Sequence, residues 1–135
     1  MLKKNQIVLD TNVIIRFLVG DDRALYTKSE RVFTDIENDV VKATILESVF
    51  AETVFVLEKV YKVERGKIAD LLSRILALKG VRNPNKQVYR QALEIYQAQK
   101  VDIVDCLVCA YGLFNEVDIV SFDKDIEACM KWARR

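Results

Sequence analysis

Two rhythms of apolar residues run through this chain: short continuous runs, and longer stretches with apolar positions three and four apart. Gln6-Ile7-Val8-Leu9-Asp10 is the first short run, and its unbroken apolar centre predicts a central parallel strand covered on both faces. Thr11 is a suitable N-cap, so Asn12 to Val19 is predicted helical up to Gly20, a good stop. Asp21-Asp22 opens the next helix, which runs to about Asn38 with acids where the helix dipole favours them. Val40 to Thr44 is rich in β-branched residues and predicts a second strand. Leu46 to Tyr61 then reads as an apolar helix, and Arg65 to Lys79 as another, with Ile68, Leu71, Leu72, Ile75 and Leu76 at helical spacing. Gly80 to Asn85 is a break that a weak strand begins. Lys86 to Lys100 is helical, Val104 to Phe114 is an apolar helix, Ile119 to Phe122 is a strand, and Asp123 to Trp132 is the last helix.

Strands alternating with helices over this length predict a three-layer α/β/α fold with a mainly parallel central sheet. The 135 residues suit one domain, 1–135, with a real core. One proline and four glycines fit long elements with short connections, and no repeat or linker interrupts them. In such sheets ligands bind beyond the carboxyl ends of the strands. Asp10 and Asp123 stand at two such ends, so the pattern alone points to an acidic pocket.

Charge and composition narrow the chemistry. The net charge of +1 gives no global attraction to nucleic acid, so any RNA contact relies on a local patch. No apolar run approaches a membrane span, and the first apolar stretch ends too early for a signal peptide; the expected location is cytoplasmic, with no membrane partner. Histidine is absent. That removes the usual general base, the usual ring ligands of zinc, and the Ser-His-Asp and Cys-His arrangements. Catalysis is left to carboxylates, lysine, hydroxyls, thiols or a metal held by oxygen. Cys106 and Cys109 form a C-x-x-C, but they lie within an apolar helix without a second pair, and together with Cys129 they read as small core residues.

Four stretches carry the acids: Leu9-Asp10-Thr11-Asn12, the helix around Ala51-Glu52-Thr53, Asp102-Ile103-Val104-Asp105-Cys106-Leu107, and Ser121-Phe122-Asp123-Lys124-Asp125. Taken singly, each acid has a plain structural role. Asp10 and Asp123 suit helix caps, and Asp102 and Asp105 suit a first helical turn. Glu52 borders an apolar arc that Glu47 and Glu58 flank on its other edge, so periodicity does not single it out. Arg16 lies one turn past Asn12, within reach of a substrate phosphate. Lys59, Lys62, Arg65 and Lys67 make a basic run that reads foremost as a solvated face.

In order and spacing the four stretches resemble the PIN-domain nucleases, in particular the VapC-type toxins of prokaryotic toxin–antitoxin pairs. The likeness spans nearly the whole chain. It implies a divalent-metal endoribonuclease with Asp10, Glu52, Asp105 and Asp123 as catalytic and metal-binding acids. Thr11, Asn12, Asp102 and Ser121 are the supporting residues. Ser121 stands where the family carries threonine, and it keeps the hydroxyl. Mg²⁺ or Mn²⁺ is the implied cofactor, since hard cations take oxygen ligands and acids alone would repel a phosphodiester. RNA, a cognate antitoxin and a second copy of the chain are the implied partners. The rival reading is a non-catalytic α/β module that binds RNA or protein and uses its acids as caps. A phospho-acceptor receiver-like domain is a third, and it lacks the acidic pair expected before its first aspartate.

Overall fold

The computed structural model describes residues 5–134, so the expectations placed on residues 1–4 and 135 lie outside them. Strand β1 (Gln6–Val8) leads into α1 (Thr11–Val19) and α2 (Arg23–Glu37), and β2 (Lys42–Thr44) follows. Five helices complete the chain: α3 (Glu47–Lys59), α4 (Arg65–Leu76), α5 (Lys86–Ala98), α6 (Ile103–Asn115) and α7 (Lys124–Ala133). Strands β1 and β2 pair in parallel, with Ile7 opposite Ala43. A parallel bridge from Ala43 to Val81 lies on the other side of β2, so the weak strand expected at the 80–85 break forms as a single pair. Beside it the Asn83 side chain does a strand's work: its carboxamide accepts from Ile45 N at 2.9 Å and donates to Ile45 O at 2.6 Å.

The helices bury the faces their periodicity predicts. In α4, Ile68, Ala69, Leu72, Ile75 and Leu76 are buried. In α5, Tyr89, Leu93 and Tyr96 turn inward, and the Tyr89 ring stacks on Phe50 of α3 at 4.4 Å between centroids. Helix α1 packs on α2 and α3, and α3 on α4 and α6; α5 lies against α4 and α6, and α6 against α7. Cys106, Cys109 and Cys129 are free and buried, as core residues should be. Among the described residues no helix is long and apolar enough to cross a membrane.

Three sequence expectations change. Asp10, not Thr11, is the N-cap of α1; Thr11 is the first helical residue and is buried, which takes its hydroxyl away from the cap position. Strand β1 stops at Val8 and is a sheet edge among the described residues, with Val8 63% exposed rather than covered on both faces. Residues 119–122 form no strand, and Val120 and Phe122 stand fully in solvent. An apolar run becomes a strand only where a neighbour takes its backbone bonds. Residues 117–122 are anchored on α6 instead: Val117 N donates to Gly112 O at 3.1 Å, and the Ile119 side chain sits so closely on Gly112 that a Cβ there would lie 2.5 Å from it.

Candidate active site

Helix α6 supplies the centre of the site. Asp102 is its N-cap residue, with extended backbone and no side-chain cap bond, so its carboxylate is free of that role. Asp105 sits in the first turn, half-buried, between two grooves. On one side a groove of about 540 Å³ is lined by Glu52, Phe55, Glu58, Tyr96, Asp102 and Asp105. Glu52 is exposed on α3, one residue before the buried pair Thr53 and Val54, so the helix buries its neighbours and leaves its carboxylate at the groove.

On the other side, α7 brings Asp123 and Asp125 to Asp105, with one carboxylate oxygen of each within 4.8 Å of the others. Local bonds fix Asp123. Its side chain caps α7 by accepting from Asp125 N at 2.8 Å, and Ser121 Oγ accepts from Asp123 N at 3.0 Å. The Ser121 hydroxyl therefore orients the Asp123 backbone. Beyond the cluster, Asp123 shares a groove of about 650 Å³ with the acids Asp118 and Glu127 and the bases Lys131 and Arg134.

The electrostatics are unfavourable as they stand. Partial burial pushes the Asp105 carboxyl above the usual aspartate range, and the charges of Asp123, Asp102 and Asp125 add to the rise. Among the described residues none of these four acids is in an ion pair. Converging carboxylates without a cationic partner are the donor set a hard divalent ion takes, and such an ion would relieve their repulsion. The residues present fit a hard divalent cation.

Of the expected acids, then, Asp105 and Asp123 come together, and Glu52 and Asp102 face the adjoining groove. Asp10 stands outside the Asp105 cluster. It is exposed at the head of α1, where its carbonyl accepts from Val13 N at 3.2 Å and its side chain makes no cap bond. Residues 117–122 do not pair with β1, so no ladder draws the stretch ending at Asp123 toward the strand preceding Asp10. Next to Asp10, the buried Thr11 hydroxyl has no hydrogen-bond partner, and Asn12 is exposed. Arg16 pairs with Asp21 at 3.0 Å across the Gly20 turn.

Sequence reasoning passed over Asp125, Lys131 and Arg134. Asp125 reads as a first-turn acid of α7, a position the helix dipole favours. The signal for the rest was the spacing of Asp123, Glu127, Lys131 and Arg134, which puts them on one helix face.

The sequence profile of the PIN domain matches residues 7–129. The chain is also 31% identical over 100 residues to a protein of Aquifex aeolicus (strain VF5) described as "VapC ribonuclease", covering 74% of this chain and 73% of that protein. No solved structure matches significantly. A profile that spans nearly the whole chain and a relative that aligns over most of both sequences place this protein in the PIN domain family, whose three-layer α/β/α architecture accounts for its parallel strands and flanking helices.

Proposed function

We propose that Asp105 and Asp123, with Asp10 and Glu52, hold the divalent cation with which this VapC-type PIN endoribonuclease hydrolyses RNA phosphodiesters. The convergence of Asp105, Asp123 and Asp125 carries the assignment. When bound, Mg²⁺ or Mn²⁺ supplies Lewis acidity and a template for attacking and leaving oxygens. The chain's own residues do the rest. Ser121 and the α7 cap orient Asp123, and Asp102 adds negative charge beside Asp105. Thr11 and Asn12 support the head of α1 at Asp10. Lys131 and Arg134, which line the groove with Asp123, neutralise RNA phosphates together with Arg16 at the head of α1. Mn²⁺ and Mg²⁺ both suit an all-oxygen donor set.

The same reading treats residues 1–135 as one domain working in the cytoplasm as the toxin of a pair, with an antitoxin segment covering the acidic grooves. It includes a homodimer. Val104, Val108 and Tyr111 repeat along one face of α6 and are exposed, and with Ala51, Val117 and Val120 they line an apolar groove of about 690 Å³. A stripe of this kind marks an association surface.

Purified protein is expected to cleave RNA with Mg²⁺ or Mn²⁺ and to stop on chelation. Asp105→Asn and Asp10→Asn are expected to abolish cleavage with the helical circular dichroism intact. Cleavage unchanged in a folded Asp105→Asn protein would refute the assignment.

A further inference from the structure

Arg65 opens α4, yet its side chain serves other elements. The guanidinium lies over the Tyr96 ring, 3.6 Å from the centroid. Nε donates to Tyr96 O at 3.0 Å, and Nη2 donates to Gln99 O at 2.8 Å and to Val101 O at 2.5 Å. Nη1 donates to Glu58 Oε1 at 3.2 Å, and the Tyr96 hydroxyl donates to that same oxygen. One planar cation therefore joins α3, the end of α5 and the connection into α6.

The position of those carbonyls gives the contact its meaning. Tyr96 and Gln99 lie at the carboxyl end of α5, where free carbonyls and the helix dipole favour a cation. Val101 immediately precedes Asp102, the N-cap residue of α6, and Asp102 O accepts from Cys106 N at 2.9 Å to begin that helix. Asp105 follows in the first turn. Glu58 lies on α3, the helix that carries Glu52, and it lines the same groove as Glu52, Asp102 and Asp105. Arg65 is thus bonded on both sides of the groove, to the backbone one residue before Asp102 and to a side chain on the helix of Glu52.

We infer that Arg65 is a positioning residue of the metal site: its guanidinium sets the start of α6, and hence Asp102 and Asp105, against Glu52 on α3. The inference rests on the acidic site proposed above. Lysine cannot substitute, because a single ammonium on a flexible stem cannot reach three backbone carbonyls and a carboxylate in one plane. A change of this kind moves ligand oxygens without altering their number or charge.

The test uses full-length Arg65→Lys, which keeps the charge, and reads Mn²⁺ binding directly by electron paramagnetic resonance, well below the melting temperature of each protein. Loss of an outer residue that orients ligands weakens metal binding about tenfold at the low end, and the Mn²⁺ Kd of Arg65→Lys is expected to rise by that amount. A residue that only stabilises the fold would lower the melting temperature and leave that Kd unchanged. Glu58→Gln loosens one anchor of the guanidinium and is expected to shift the Kd in the same direction by less, so the inference stays testable if Arg65→Lys folds poorly. Asp105→Asn is the reference. If it loses Mn²⁺ while Arg65→Lys and Glu58→Gln bind like wild type, the positioning role is overturned and the acidic site stands. If Asp105→Asn itself binds Mn²⁺ like wild type, the acidic site is wrong and the inference falls with it.

Discussion

Replacing Asp105 by asparagine is expected to stabilise the metal-free protein and to destabilise it relative to wild type once metal is present. The side chain keeps its shape and loses its charge. At the 4.8 Å limit separating the cluster's oxygens, two unit charges repel by about 1 kcal/mol at the dielectric of water and about 3.5 kcal/mol at an effective value of 20. Asp123 and Asp125 are exposed, so solvent and salt hold the interaction near the lower figure. Asp105 faces two such charges, so removing its own gains about 1 to 2 kcal/mol, which for a domain of this size raises the melting temperature by about 4 to 8 °C. Metal reverses the order. A ligand at a hundredfold excess over its Kd stabilises the native state by about 2.7 kcal/mol, or roughly 10 °C here, and Asp105→Asn forfeits most of that. Thermal melts of both proteins in chelator and in excess Mn²⁺ should therefore cross. A variant that melts below wild type in chelator, or that gains as much from Mn²⁺, would refute the electrostatic account of the cluster.

Two glycines should respond differently to alanine. At Gly112 the new methyl meets the Ile119 side chain, which can move, and alanine's better helix propensity offsets the crowding, so stability changes by about 1 kcal/mol or less. Displacing Ile119 shifts the stretch leading to Asp123, and Mn²⁺ affinity should fall without a matching change in the urea midpoint; unaltered affinity would detach that docking from the site. At Gly80 the methyl meets the carbonyls of Val41 and Ile36, which cannot yield, and the loss should exceed about 3 kcal/mol. The Tyr96 hydroxyl, as the largest cause, holds the Glu58 carboxyl below its ordinary value of 4.5, with Lys59 and Arg65 assisting. A lowered carboxyl contributes stability in full above the ordinary value and loses it as pH falls through the folded value. Tyr96→Phe should therefore be less stable at neutral pH and lose less on acidification, and parallel pH profiles of urea midpoints for the two proteins would count against this.

The helices were legible because their signal is local. Ile68, Leu72, Ile75 and Leu76 repeat at the spacing that turns one face to the core, and all four are buried. Strand pairing is not local. Ile7 to Leu9 and Ile119 to Phe122 are both mainly apolar in sequence, yet among the described residues only the first finds a neighbour to take its backbone bonds. Arg65 was unreadable for the same reason. A basic run on a helix looks solvated, and nothing near it in sequence announces carbonyl partners 31, 34 and 36 residues away.

The acids fall between these cases, and Asp123 shows why. Read alone, it is a helix cap, and it is one: an oxygen accepts from Asp125 N. Read with Asp105 and Asp125, it belongs to a charged cluster that its local sequence does not require. The two readings do not compete, because a carboxylate has two oxygens and several lone-pair directions. Capping spends one direction and fixes the plane of the group, which presents the remaining acceptor capacity to Asp105 in a single orientation. A cap bond therefore does not argue against a second role for the same carboxylate; it fixes the direction in which that role would be exercised. Asparagine caps as well as aspartate does but brings no charge, so Asp123→Asn separates the two roles: the helix keeps its start, and only the cluster loses an acid.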